Sequence, residues 1–288
     1  MIYNSIIIGG GPAGVTAALY IKRRNIDDIM IIDTLKDSSL LTASYVDNYY
    51  GTEHILGTKL FTDGITQAQS LGIKICTEKV IHIDINYEND NLLVTTNINT
   101  YETKTLVLAT GKKRTSIKTI GFDSLTHGVS YCATCDGFFY RKKDIAVIGS
   151  KEFAIHEFEY LENIALTSYL LSNGESIDFS NKNVISSKII KYSEDDSKIT
   201  IEFEDREPII VDGIFIALGD ASSSDFAKQL GIEMDDNNNI KIDDKCKTNY
   251  ENIFAAGDNT GGLAQIVKAS YQGMIAGNSA GAYILKHK

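Results

Sequence analysis

Apolar and polar positions along the chain produce the same order of events twice. Ser5–Ile8 is an unbroken apolar run, followed by Gly9-Gly10-Gly11-Pro12-Ala13-Gly14 and then by small and apolar residues over 15–20. That order predicts a buried strand, a tight turn and a helix. It recurs at Asp144–Ile148, where the turn reads Gly149-Ser150-Lys151-Glu152-Phe153-Ala154. Between and beyond these openings further apolar runs predict strands. Ile29–Ile32 ends at Asp33, Leu106–Leu108 ends at Ala109-Thr110-Gly111, and 168–171 ends at Ser172-Asn173-Gly174-Glu175. Alternation over 189–203 predicts a hairpin, and 209–218 a single buried strand. The stretch 225–244 is acidic and polar, with a turn at Asp235-Asp236-Asn237-Asn238-Asn239. A last strand over 252–256 meets Gly257-Asp258 and Gly261-Gly262, and a helix is expected over 264–285.

The spacing Gly9-x-Gly11-x-x-Gly14 has a physical meaning. One glycine makes the turn, one lets the backbone approach a pyrophosphate, and one lets helix and strand pack closely. The helix start then faces the phosphates. Asp33, 19 positions after Gly14, suits a ribose hydroxyl, and Asp258, at a strand end beside a helix, suits a ribityl or ribose hydroxyl. The fingerprint does not separate FAD from NAD. In the second turn the middle glycine has become Lys151, whose side chain obstructs a pyrophosphate. The strand that follows ends without the arginines a 2′-phosphate would want, since Arg206 is the only arginine after Arg141. NADPH binding there is doubtful.

Composition narrows the classes. The 288 residues are 43% hydrophobic and 23% charged, enough for two ordinary domains or one large one with a real core. A net charge of −10 argues against nucleic acid and membrane surfaces as partners. The N-terminal segment has no basic region and runs directly into the first strand, so neither a signal peptide nor a membrane span is expected, and a cytoplasmic location is. Few apolar residues occur over 112–118, which reads as a domain boundary.

Four cysteines do not make a secreted framework. Cys132 and Cys135 have the two-residue spacing of a redox pair or of half a zinc site. Cys76 and Cys246 are single and distant, and the five histidines show no ligand spacing, so no metal is expected. Asp136 follows the pair directly, and the basic runs Lys112-Lys113-Arg114 and Arg141-Lys142-Lys143 flank it.

Taken together the chain resembles the low-molecular-weight thioredoxin reductases over nearly its whole length. The marks are the 9–14 fingerprint, Val46-Asp47-Asn48 before Tyr49-Tyr50-Gly51, Ala109-Thr110-Gly111, Cys132-Ala133-Thr134-Cys135-Asp136-Gly137-Phe138-Phe139, and Phe254-Ala255-Ala256-Gly257-Asp258 with Gly261-Gly262 and Gln265. The resemblance implies an α/β fold of two doubly wound, three-layer Rossmann-like domains. An FAD domain of 1–113 and 245–288 would be split by an inserted redox domain of 114–244. It implies noncovalent FAD and a homodimer. The cofactor residues would be Gly9, Gly10, Gly11, Pro12, Ala13, Gly14, Asp33, Leu40, Asn48, Val80, Ala109, Thr110, Gly111, Gly257, Asp258, Gln265 and Ile266. Cys132 would attack the disulfide of a thioredoxin, Cys135 would lie nearer the flavin and resolve the mixed disulfide, and Asp136 would move the proton.

The departures at Lys151, Phe153 and Ser172-Asn173-Gly174 are similar to the ferredoxin-dependent flavin thioredoxin reductases of anaerobes. Ferredoxin is then the expected donor. The alternatives are an NADPH-dependent reductase with a divergent site, and a flavin oxidoreductase for another dithiol or disulfide. A disulfide that serves both flavin and a protein partner requires the inserted domain to swing, with hinges expected near 112–114 and 244–248.

Overall fold

A computed structural model of the chain describes residues 1–43, 45–112, 128–130, 133–195, 198–219 and 221–287, with the backbone alone at 134 and 135. In order, the first elements are β1 (Ile2–Tyr3), β2 (Ser5–Ile8), α1 (Pro12–Lys22), β3 (Ile29–Ile32) and α2 (Ser39–Thr42). Next come β4 (Tyr45–Val46), β5 (Ile55–Leu56), α3 (Gly57–Ser70), β6 (Lys74–Cys76), β7 (Val80–Asn86), β8 (Asn91–Thr96), β9 (Thr100–Thr103) and β10 (Leu106–Leu108). The middle of the chain gives β11 (Val129–Ser130), α4 (Ala133–Asp136), β12 (Asp144–Ile148), α5 (Glu152–Glu162), β13 (Thr167–Leu171) and β14 (Val184–Ile185). They are followed by β15 (Ile189–Asp195), β16 (Lys198–Phe203), β17 (Ile209–Val211) and β18 (Gly213–Ile216). The chain closes with α6 (Ser223–Leu230), β19 (Ile253–Ala255) and α7 (Ile266–Lys286).

Two compact units result: Met1–Lys113 with Ser222–Lys288, and Arg114–Ala221. The first holds a five-stranded parallel sheet ordered β19-β10-β2-β3-β6 and a four-stranded sheet ordered β1-β9-β8-β7. Every residue of β2, β3, β10 and β19 is buried, as expected of parallel strands covered on both faces. Helices α1 and α7 cross closely. A Cβ at Gly273 or Gly277 would overlap the carbonyl of Ala13 or Ala17 respectively, so the crossing is built on missing side chains.

The second unit repeats the plan. Its parallel sheet is ordered β11-β18-β12-β13-β14, and an antiparallel meander is ordered β15-β16-β17. Side chains of β12 alternate between two cores. Ala146 and Ile148 face the meander with Tyr192, Ile201 and Ile214, while Ile145 and Val147 face α5 with Phe153, Phe158 and Leu161. This is the three-layer arrangement that the resemblance implies.

Two expectations are corrected. The chain returns to the first unit at 222, not 245. The acidic stretch is a capped amphipathic helix and a tight turn. Ser222 and Asp225 form a capping box, Gly231 closes α6 at φ +66°, and Phe226, Ala227 and Leu230 are buried. Gln229 Oε1 accepts the Ile83 N–H of β7, and Lys112 Nζ reaches Asn239 Oδ1 at 2.8 Å. Polarity marked the exposed side of these residues and hid the packed one. The single strand expected over 209–218 is broken at Asp212. Its N–H donates to Asp144 O and its Oδ2 accepts the Asp144 N–H, so β17 pairs with the meander and β18 with the parallel sheet.

Candidate active site

The fingerprint loop is shaped by glycines that nothing larger could replace. Gly9 has φ +112°, and a Cβ there would overlap the Ala109 carbonyl, with 2.6 Å to its carbon. A Cβ at Gly14 would overlap Gly9 O. The Gly10 N–H donates to Asp33 Oδ2 at 2.6 Å and the Leu35 N–H to Asp33 Oδ1 at 2.5 Å. Asp33 therefore orders the loop and keeps lone pairs over for a ligand hydroxyl. Pro12 opens α1, and its N-cap, Gly11, provides no side-chain cap. The first-turn N–H groups are left for an anion.

Three other segments meet this loop. Ala109 and Thr110 follow β10, with Ala109 buried and Thr110 Oγ1 hydrogen-bonded to Ser223 Oγ. Ser223 Oγ also donates to Gly111 O at 3.4 Å. Gly257 brings the turn after β19 against α1, since a Cβ there would lie 3.0 Å from Ala13 Cβ. Its N–H donates to Gln272 Oε1 at 3.0 Å, and its carbonyl accepts from Lys268 Nζ at 2.7 Å. Lys268 Nζ also donates to Gly261 O, and desolvation lowers its pKa despite the nearby Asp258. Gln265 is the N-cap of α7, just before Ile266, and accepts from Asn48 Nδ2 at 3.0 Å. Leu40 is buried in α2, capped by Ser38. Val80 stands apart, opening β7 on the antiparallel sheet opposite Thr96.

Asp258 decides the fit of FAD. Its Oδ1 is buried without a hydrogen-bond partner among the described residues. An orphaned buried acceptor costs about 1–3 kcal/mol, and a ribityl or ribose hydroxyl would relieve it. Glycine loop, uncapped helix start, Asp33 and Asp258 together match the pyrophosphate and hydroxyls of FAD. Sequence reasoning missed Lys268, Gln272 and Ser223, single polar residues on helices without a motif of their own.

In the second unit Cys132 lies outside the described residues, and Cys135 sits in the backbone of α4. Ala133 is fully buried against α5, and a Cβ at Gly137 would come within 2.9 Å of Leu161 Cδ2. Ser130 Oγ donates to Asp136 Oδ2 at 2.7 Å, and the Ala133 N–H donates to Glu157 Oε2 at 2.8 Å. Phe138 and Phe139 are 71% and 69% exposed, their rings edge to face at 6.5 Å. Burial, then the charges of Asp136 and Asp212, pushes the Tyr140 hydroxyl up. Cys76 and Cys246 are buried free thiols, both pushed up by desolvation. Of the basic run at 112–114, Lys112 is engaged with Asn239, and 113 and 114 lie outside the described residues.

The second glycine turn is tied up by protein groups. Ser150 Oγ donates to the Glu175 carboxylate, and Ser172 Oγ to Glu175 O at 2.6 Å. Asn173 Oδ1 accepts the Ile189 N–H at 2.8 Å, and the Gly174 N–H donates to Ser186 O at 2.8 Å. A carboxylate thus stands at the turn where a pyrophosphate would otherwise be placed.

Comparison with known proteins agrees with this geometry. The pyridine nucleotide-disulphide oxidoreductase family matches residues 3–273. A thioredoxin reductase of Listeria monocytogenes is 32% identical over 98% of this chain and 94% of its own. One of Bacillus subtilis is 31% identical over 98% and 95%. Among solved structures, the atypical thioredoxin reductase TRi from Desulfovibrio vulgaris Hildenborough has a TM-score of 0.89 at 30% identity, covering 99% of this chain and 98% of that one. A ferredoxin-flavin thioredoxin reductase from Clostridium acetobutylicum has 0.71 at 28% identity, covering 99% of both. The chain belongs to the pyridine nucleotide-disulphide oxidoreductase family, as one of its FAD-binding thioredoxin reductases.

Proposed function

We propose that this thioredoxin reductase draws its electrons from reduced ferredoxin and passes them through the Cys132–Cys135 pair to a thioredoxin. The observation that carries the donor is the Ser150–Glu175 contact at the Gly149 turn. An anionic side chain bonded at the turn repels a nucleotide pyrophosphate. The turn that follows β13, Ser172-Asn173-Gly174-Glu175, spends its polar groups on its own neighbours and contains no lysine or arginine for a 2′-phosphate. FAD, when bound, accepts electrons singly and delivers them in pairs, which matches a one-electron donor to a two-electron disulfide.

The chain's own residues divide the remaining work. The α1 start and Asp33 would hold the pyrophosphate and a ribose hydroxyl of the cofactor, and Asp258 would take a further hydroxyl; Leu40, Asn48 and 109–111, with Val80 from the antiparallel sheet, would complete the cofactor set that the resemblance implies. Cys132 attacks the partner disulfide as a thiolate, one partner sulfur leaves with a proton, and Cys135 resolves the mixed disulfide. Asp136, oriented by Ser130, supplies and recovers that proton. Phe138 and Phe139 offer an exposed apolar contact to a protein partner, and Arg141, Lys142 and Lys143 follow immediately in an acidic chain. The working form is a cytoplasmic homodimer. No helix among the described residues is long and apolar enough to cross a membrane.

Anaerobic absorbance of the FAD-loaded protein tests the donor. Reduced ferredoxin should bleach the flavin, while NADPH and NADH leave it oxidised. Rapid bleaching by NADPH would overturn the ferredoxin reading in favour of a nicotinamide-dependent thioredoxin reductase.

A further inference from the structure

Glu157 is the one Asp, Glu, Lys or Arg among the described residues that is buried, at 2% exposure. It sits on the inner face of α5 with Phe153, Ala154, Phe158 and Leu161, where helical spacing calls for an apolar residue. Taking a carboxylate out of water costs several kcal/mol unless something compensates. Oε2 accepts the Ala133 N–H at 2.8 Å, whereas Oε1 has no hydrogen bond and lies 3.8 Å from His156 Nδ1. Satisfying one backbone N–H needs only a neutral acceptor such as an amide, so a carboxyl group at this position calls for another reason. Ala133 is the residue after Cys132, and Asp136 stands at the other end of the same short helix, held by Ser130. Two carboxylates therefore bracket the redox turn.

We propose that Glu157 is a positioning and tuning residue of the redox pair: it fixes the backbone beside Cys132, and its charge opposes thiolate at the pair, making the dithiol a stronger reductant. The reading rests on Cys132 and Cys135 being the redox disulfide; the identity of the donor does not enter. Reduction adds two electrons and two protons to the disulfide to give two thiols, one of which ionises to act. Whatever stabilises that thiolate stabilises the reduced form and makes the disulfide more oxidising. A buried negative charge bonded to the N–H of Ala133, the residue after Cys132, does the opposite. Neighbouring charges enter the same balance: His156 on α5, Asp136 on α4, and Tyr140, which feels both Asp136 and Asp212.

The test equilibrates the FAD-loaded protein anaerobically with reduced and oxidised dithiothreitol, quenches with an alkylating reagent and counts modified thiols by mass. Glu157→Gln keeps an acceptor for the Ala133 N–H and removes the charge. Its equilibrium should shift towards the dithiol by on the order of tenfold, which is about 30 mV for a two-electron couple. Glu157→Ala should show the same shift and, lacking the acceptor, also lose turnover that Glu157→Gln retains. Glu159→Gln, on the exposed face of the same helix, should move neither quantity. A Glu157→Gln midpoint equal to that of the wild type would overturn the tuning role, and equal turnover of the Ala and Gln variants would overturn the positioning role. A wild type with no two-thiol transition, against a Cys132→Ser control, would remove the redox-pair reading itself and this inference with it.

Discussion

The α1–α7 crossing makes a graded prediction, because three glycines on one face of α7 meet different neighbours. A Cβ added at Gly273 would overlap Ala13 O and stand 3.0 Å from its carbonyl carbon. One at Gly277 would overlap Ala17 O and stand 2.9 Å from Ala17 Cα. Ordinary carbon–carbon contact is about 3.5–4.0 Å, so in both variants backbone must retreat from backbone by several tenths of an ångström. Overpacking of this kind costs about 1–3 kcal/mol or more, and the gain in helix propensity from glycine to alanine returns about 1. At Gly281 the Cβ meets Arg24 Cδ at 2.5 Å and Nε at 3.3 Å, on an exposed side chain that can swing away, and Ile26 Cδ1 at an ordinary 3.5 Å. Gly281→Ala should therefore be neutral or slightly stabilising. An overlap with backbone carbonyls, which no rotamer change relieves, places both variants at the upper end of that cost, a net loss of about 1–2 kcal/mol, so Gly273→Ala and Gly277→Ala should lower Tm by roughly 2–8 °C at 2–4 °C per kcal/mol for a unit of this size. Gly273→Ala should in addition release FAD, because Ala13 belongs to the fingerprint loop. Thermal unfolding at saturating FAD, with the flavin-to-protein absorbance ratio after desalting, reads both effects. A Gly281→Ala protein as damaged as Gly273→Ala, or an intact Gly273→Ala, would refute the close crossing.

Four further outcomes follow from the same site. Gly11→Ala should leave the Tm of the FAD-free protein unchanged but weaken FAD binding, because the nearest atom to an added Cβ is Ser38 Oγ at 3.9 Å; a thermal shift measured with and without FAD checks it. Asp258→Ala removes an acceptor that a ligand hydroxyl needs and should weaken FAD binding roughly tenfold to a hundredfold, read by fluorescence titration. Asp136→Asn should cut thioredoxin-disulfide turnover by about 10²–10⁴ while leaving flavin reduction by the donor intact in rapid-mixing traces. The Cys246 thiol, pushed up to about 11 by burial, should resist native alkylation at neutral pH. Folding holds it protonated, so the stability it contributes is whole below pH 9, its ordinary value, and is lost as pH rises through 11; denaturant midpoints from pH 8 to 11 measure the loss.

Sequence legibility depended on whether the cause was local. Both glycine turns could be read because a turn and a helix start are decided within six residues, and β2, β3, β10 and β12 because strands buried on both faces are apolar over nearly all their length. The break at Asp212 could not be read, since it depends on hydrogen bonds to Asp144, 68 positions away. The return of 222–244 to the first unit was hidden for the same reason. Its determinants are the capping of α6 and the contacts of Gln229 with Ile83 and of Asn239 with Lys112. Glu157 was invisible because α5 carries four glutamates and no motif marks which of them faces inward.

The two glycine turns also separate what a fold needs from what a ligand needs. Gly9 and Gly149 answer to the fold: a Cβ at either would overlap the carbonyl of the neighbouring chain, Ala109 in one unit and Ala217 in the other. Each unit therefore retains its first glycine whether or not anything binds there. Gly11 is different, because the protein leaves room for a side chain at its position, and φ −74° suits any residue. The demand for glycine there comes from outside the chain, from a pyrophosphate that must approach the backbone. Lys151 occupies the equivalent position in the second turn, where Ser150 and Glu175 are bonded to each other instead. Loss of the middle glycine with retention of the first is the pattern expected where no nucleotide constrains a turn that the sheet still requires, and it supports the proposal that the electron donor is a protein.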